Sequence, residues 1–122
     1  MRFTEDSSSG INLIRAYGGG SIKVNQEIYR GSLIVSAAVV IAGPAIGGAG
    51  ELIPAHAGPI LDLEPELVLL GTGGRQSFPP ATFATQFLAK GIGLEVMDTG
   101  AACRTFNVLI AESRRVVALL FP

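Results

Sequence analysis

The sequence predicts an α/β fold in which an N-terminal β-meander is followed by a β-α-β-α-β half. Three observations predict it. A chain of 122 residues, at about 100–200 residues per domain, leaves room for a single domain, 1–122, with 1–10 as an N-terminal tail. Apolar residues make up 48% of the chain and charged residues 16%, against roughly 25% charged in an ordinary soluble domain, which excludes disorder and provides for a sizeable core. The two halves differ in texture: up to Ile60, short apolar runs are separated by Gly, Asn and Ser, whereas beyond it apolar runs alternate with helical patterns.

In the first half, Ile11–Ala16 reads as a strand and Tyr17-Gly18-Gly19-Gly20 as a turn. Short strands follow at Ser21–Val24 and Glu27–Tyr29, on either side of Asn25-Gln26. Gly31-Ser32 leads into a long strand, Leu33–Ile41, whose Val35, Val39, Val40 and Ile41 are β-branched and favour an extended chain. Ala42–Pro59, rich in Pro and Gly, reads as an irregular loop. His56 and the acids Glu51, Asp62, Glu64 and Glu66 lie in it or just past it and are expected to be solvated.

In the second half, Leu67–Leu70 is a continuous apolar run ending at Gly71, the pattern of a strand buried on both faces. Pro79-Pro80 opens a helix with Phe83, Ala84, Phe87 and Leu88 on one side and Gly91 as its stop. Leu94–Met97 is the next strand. Asp98 or Thr99 caps a second helix, in which Ala102, Phe106, Leu109 and Ile110 recur at helical spacing and which ends near Arg114-Arg115, where cations suit the negative end of the dipole. Val116–Phe121 is the last strand. Short links in a strand-helix-strand order call for parallel pairing through crossover connections.

Composition excludes several functions. Nine Lys plus Arg against ten Asp plus Glu leave a net charge of -1, which gives no electrostatic footprint for a phosphate backbone, so no nucleic-acid partner is expected. One Cys and one His exclude a disulfide framework and a Cys/His metal cluster; no metal and no cofactor are expected. The run from Gly31 to Gly50 carries no charge and is nominally long enough to cross a bilayer. Only Leu33–Ala42 is densely hydrophobic, however, and Pro44 with its neighbouring glycines would break a helix, so a strand and loop are expected there instead of a transmembrane segment. The N-terminal MRFTEDSSSG offers acids and hydroxyls where a signal or transit peptide needs basic and apolar residues, and a cytoplasmic location is expected.

Chemistry concentrates at two strand exits. Gly71-Thr72-Gly73-Gly74-Arg75 follows a strand, and its main-chain N–H groups beside an Arg suit an anion. A dinucleotide fingerprint would need a third glycine at the position of Gln76 and a helix starting at once, and a nucleotide-hydrolase loop would need Gly-Lys-Ser/Thr. Neither is present, and a tight turn explains the same glycines. Asp98-Thr99-Gly100 stands at the next strand exit. If the two strands are parallel neighbours, both loops emerge on one sheet edge, bringing Thr72, Arg75, Asp98, Thr99 and Arg104 together. Capping alone also explains Asp98. Arg104 sits early in a helix, where the dipole disfavours a cation, which an acid partner or a bound anion would offset. Cys103 lies beside Arg104 near a helix start, an activating setting for a thiol, but no base stands at motif spacing and a small buried hydrophobe is the plainer role. No catalytic residue is assigned.

The string Pro65-Glu66-Leu67 through Leu70-Gly71-Thr72-Gly73, then Gly91-Ile92-Gly93-Leu94-Glu95-Val96-Met97-Asp98-Thr99, then Ala102-Cys103-Arg104-Thr105-Phe106-Asn107 with Leu109, Glu112, Arg114 and Arg115, is similar to a small domain family. It is the domain shared by mitochondrial respiratory complex I assembly factor 3, the adipogenesis-associated protein and many short bacterial and archaeal proteins of unknown function. The resemblance covers about half of the chain; Tyr17-Gly18 and Gly31-Ser32-Leu33 fit more loosely. It implies a three-layer α/β fold with a central mixed sheet, no established catalytic activity, and a binding or assembly role. The chain lacks Trp, which relatives often carry in the middle segment, and its Ala42–Pro59 loop is its own. A bacterial member is expected. The expected function is a non-catalytic interaction domain, assembly-factor-like, that presents Thr72, Gly73, Gly74, Arg75, Asp98, Thr99, Arg104 and Asn107 to a protein partner, with a membrane or respiratory complex as the setting. The alternative is a small-molecule anion binder or enzyme using the same edge. An apolar edge strand is compatible with a dimer without requiring one.

Overall fold

Val116–Phe121 is apolar and buried at every position, so it needs cover on both faces, and the rest of the fold supplies it. The computed structural model describes residues 10–122, so the expected tail lies outside the described residues except for Gly10. Three strands, β1 (Ile14–Gly18), β2 (Ser21–Val24) and β3 (Glu27–Arg30), form an antiparallel meander of their own. Five more, β4 (Leu33–Val35), β5 (Val40–Ala42), β6 (Leu67–Thr72), β7 (Gly93–Met97) and β8 (Val116–Phe121), form a mixed sheet in the order β5-β4-β8-β6-β7. Within it β6 runs parallel to both neighbours, with Leu70 opposite Val96 on one side and Leu119 on the other. The β4–β5 hairpin adds antiparallel to β8.

Side-chain alternation along the central strands makes two cores. Leu33, Val35, Leu69, Val116, Ala118 and Leu120 face helix α3 (Thr99–Ala111) and the meander, where they meet Ile14, Ile22, Val24, Ala102, Cys103, Phe106 and Ile110. Ile34, Val68, Leu70, Val117, Leu119 and Phe121 face the opposite layer. That layer consists of α2 (Ala81–Leu88), the short helix α1 (Gly58–Leu61) and two 3-10 turns, Ala49–Glu51 and Pro54–Ala57. Phe83 and Phe87 of α2 stack edge to face at 5.2 Å between ring centroids, a geometry that aromatic quadrupoles favour. The result is the three-layer α/β fold with a central mixed sheet.

Several expected elements differ in detail. Leu33–Ile41 is two strands instead of one: Ser36 N–H donates to Val39 O at 2.8 Å and the Ser36 hydroxyl accepts Val39 N–H at 3.2 Å, which closes a turn over Ala37-Ala38. The first strand starts at Ile14, since Asn12 N–H is taken by Ala37 O and Leu13 N–H by the Asn25 side chain, both outside the β1–β2 ladder. Ala42–Pro59 is not merely a loop, because its buried Ala49, Leu52 and Ala57, with Ile60 just beyond, help fill the second core. Leu88 turns away from the α2 core face and is exposed.

Helix α3 ends at Ala111, short of the two arginines. Ser113 has a φ of 60° and donates to Ile110 O, while Arg114 N–H donates to Leu109 O, together a left-handed cap that satisfies the last carbonyls. The arginines serve Glu66 instead, which is therefore not a plainly solvated acid. Arg115 N–H donates to one of its carboxylate oxygens and Arg114 pairs with the other at 3.1 Å. The hydrogen bond from Arg115 N–H chiefly holds the Glu66 carboxyl below its usual range, with both guanidinium groups adding to it.

Candidate functional site

Parallel pairing of β6 with β7 brings their carboxyl ends to one edge of the sheet, and there the 73–77 loop meets the start of α3. Thr99 ties them together. Its hydroxyl accepts Gly73 N–H at 2.8 Å and donates to Phe121 O at 2.6 Å, while its N–H donates to Gly73 O at 2.9 Å. Only 5% exposed, Thr99 thus fastens the ends of β6 and β8 to the helix. Asp98 is the N-cap, its carboxylate accepting Ala101 N–H at 2.9 Å, which satisfies one of the donors that a helix start leaves over. Thr72 closes the neighbouring loop. Its hydroxyl donates to Arg75 O at 2.6 Å, has Met97 O at 3.2 Å, and accepts Ser77 N–H.

The β1–β2 hairpin overhangs this edge. Its two central residues, Gly19 and Gly20, have φ of 61° and 81°, the left-handed pair that a tight hairpin of the type I′ class requires. Tyr17, at the end of β1, lays its ring against the first turn of α3: a Cβ on Gly100 would stand 2.9 Å from the Tyr17 ring. From the next turn of that helix, the Arg104 guanidinium donates to the Tyr17 hydroxyl. Between hairpin, loop and helix lies a cleft of about 420 Å³, lined by Tyr17 and Gly18–Ser21 on one side, by Gly73, Gly74 and Asp98–Gly100 on the other, and by Arg104 and Pro122.

Of the residues expected at the site, the cleft gathers Gly73, Gly74, Asp98, Thr99 and Arg104. It does not gather Thr72 or Arg75, which corrects the expected convergence, nor the further site candidate Asn107. The Thr72 hydroxyl is spent inside its own loop, and Arg75 projects into solvent. The Asn107 amide is spent on β1: it accepts Ile14 N–H at 2.9 Å and donates to Ile14 O at 2.8 Å. Tyr17, the glycine hairpin and Gly100 are the additions. The sequence signal for them was the Tyr-Gly-Gly-Gly run, which reads locally as a turn and reveals its partner 87 residues away only once folded.

Electrostatically the cleft is balanced, with the Arg104 cation and the Asp98 carboxylate both lining it. Among the described residues the Arg104 guanidinium has no acid partner, and the N–H groups of Gly74 and Gly100 have no acceptor. The Cys103 thiol, one residue away, is buried on the core side of α3 and pushed up to about 11 by that burial, which outweighs the opposing pull of Arg104. It stays protonated at neutral pH, contrary to the activation that its sequence neighbours suggest. No cluster of His, Cys, Asp and Glu capable of holding a metal ion occurs among the described residues.

A family model described as a protein of unknown function (DUF498/DUF598) matches residues 14–121. Over 121 residues, 98% of each chain, the sequence is 29% identical to the 13 kDa major membrane protein of Francisella tularensis. Over 62 residues it is 42% identical to human NADH dehydrogenase (ubiquinone) 1 alpha subcomplex assembly factor 3, a match that covers 49% of this chain and 34% of that factor. A crystal structure of a Bordetella parapertussis protein superimposes with a TM-score of 0.86 at 36% identity, covering 93% of this chain and 98% of the other. No helix among the described residues is long and apolar enough to cross a membrane.

Proposed function

The chain belongs to the family described as a protein of unknown function (DUF498/DUF598), and from that premise we propose that it is a non-catalytic protein-recognition module serving the assembly of a membrane or respiratory complex. The observation that carries the proposal is the state of the polar groups at the cleft. The hydroxyls and carboxylate best placed for chemistry are engaged in holding the backbone: Thr72 its loop, Thr99 two strand ends, Asp98 a helix cap. What faces outward is a tyrosine–arginine pair, main-chain N–H groups and a balanced charge, a surface suited to the main chain and mixed side chains of another protein. Tyr and Arg are the residue types over-represented where binding energy concentrates.

The relationship to an assembly factor of NADH dehydrogenase supports the same direction, although this chain spans only about a third of that factor's length. Residence in the cytoplasm, against such a complex, is part of the proposal. An anion pocket is less well supported, since the Asp98 carboxylate lines the same cleft as Arg104 and would repel an anion.

The test is affinity capture from the native cell with the wild type, a Tyr17→Ala/Arg104→Ala double variant and Arg75→Ala. The double variant loses a protein partner with its circular dichroism unchanged, and Arg75→Ala, outside the cleft, keeps it. Retention of every partner by the double variant contradicts the proposal. Inorganic phosphate and small carboxylates leave the melting temperature unchanged on this view; an anion at 100 times its Kd would add about 2.7 kcal/mol and reveal itself.

A further inference from the structure

The uncharged run from Gly31 to Gly50, which by length alone invites a membrane reading, folds into the β4–β5 hairpin and the turn beyond it. It places β5 at one edge of the five-stranded sheet. An edge strand presents a row of unpaired N–H and C=O groups and templates another strand unless it is blunted. The other three edges among the described residues are blunted. On β1 the register shifts between Ile14 and Ala16, and both main-chain groups of Ile14 are taken by Asn107. Strand β3 carries Glu27 and Arg30, and β7 carries Glu95 while its Val96 O accepts the Gln76 amide. Strand β5, Val40-Ile41-Ala42, is limited only by its length of three residues: it has no charge, no proline and no register shift.

Its hydrogen-bonding phase is fixed from both ends. Ser36 N–H donates to Val39 O and Gly43 N–H to Ser32 O, and Ile34 lies opposite Ile41 midway between these pairs. Antiparallel alternation therefore directs the Ile41 main-chain groups toward β4 and those of Val40 and Ala42 away from the sheet. We propose that β5 pairs antiparallel with β5 of a second copy of this chain about a two-fold axis through Ile41. In that register Val40 exchanges both bonds with Ala42 of the second copy, and Ala42 with its Val40, so all four outward groups are satisfied. The two Ile41 residues then face each other as a non-hydrogen-bonded pair, with Cα atoms about 4.5 Å apart. Ile41 is 37% exposed and gains apolar cover from its equivalent directly opposite. Gly31–Gly50 carries no charge, so the strand and its sequence neighbours bring no like charges to the axis. The two sheets join into one.

A single short strand pair makes a small interface, in the weak class for protein association, so the test spans a range of concentrations. In sedimentation equilibrium the wild type rises from 12.6 kDa toward twice that mass as concentration increases. Ile41→Lys and Ile41→Glu each stay at the monomer mass with unchanged circular dichroism, because like charges then oppose one another across the axis. An equimolar mixture of the two associates at least tenfold more tightly than either alone, which reports the register directly. A wild type that is monomeric throughout overturns the proposal, as does an Ile41→Lys variant that dimerises like the wild type or a mixture that fails to associate. An extended segment of a different protein as the natural occupant of β5 would appear as the first of these.

Discussion

Asn107 acts as a substitute for a strand. At the bulged end of β1, where Ile14 would otherwise leave a half-buried N–H and C=O without partners, the side-chain amide of Asn107 supplies one acceptor and one donor at 2.9 and 2.8 Å. The sequence offered Asn107 only as part of a resembling string within a helix, where an amide reads as well for binding as for structure. Arg75 is the opposite case: conspicuous beside three glycines, yet exposed and outside the cleft. Asn107→Ala is therefore expected to lower stability by about 2 kcal/mol, two hydrogen bonds lost with their partners left in place. Arg75→Ala should change it by less than about 0.5 kcal/mol. Urea unfolding of the two variants measures both, and an inverted order would refute the roles assigned.

Among the elements, α3 on β6 is the contact that sets the site. Gly71 makes it close: a Cβ there would lie 3.1 Å from the Thr99 Cα, 3.1 Å from the Ala102 Cβ and 3.0 Å from Leu120. Since Thr99 anchors the cleft, a side chain at this position pushes on the site as well as on the core. Gly71→Ala is expected to cost about 1–3 kcal/mol through overpacking, read as a lower melting temperature, and to release the amide protection of Gly73 N–H in hydrogen exchange. Unchanged protection would separate the packing from the site.

The sequence made the second half's elements legible because apolar period, caps and glycine stops agree there. The first half was less legible for physical reasons. The turn that divides Leu33–Ile41 is built from Ala37-Ala38, which do not punctuate a strand, and closed by a single serine hydroxyl. The Ala42–Pro59 segment hides its apolar layer in short 3-10 turns that have no helical period to detect.

For the whole molecule, two cores on either side of one sheet explain the low charge that composition first reveals. They also explain why the glycines divide by task, those at 18–20, 73 and 100 shaping the cleft and Gly71 admitting the helix. The three-layer arrangement followed from the resemblance and from strand-helix alternation. The cleft was legible only in its strand-exit half, Gly73, Gly74, Asp98, Thr99 and Arg104, since parallel topology predicts that edge. Its other wall depends on how the meander docks, a long-range contact that no local pattern encodes.

The most direct test of recognition at this cleft is site-specific photo-crosslinking in the native cell, with a photoreactive side chain at Gly74. A Cβ there meets nothing within 4 Å and the backbone has no positive φ. Leu88, exposed on α2 away from the cleft, serves as the control position. The expected result is a covalent adduct with another protein from position 74, none from position 88, and loss of that adduct when Arg104→Ala is added. No protein adduct from position 74, or one indifferent to Arg104, would contradict recognition at this cleft.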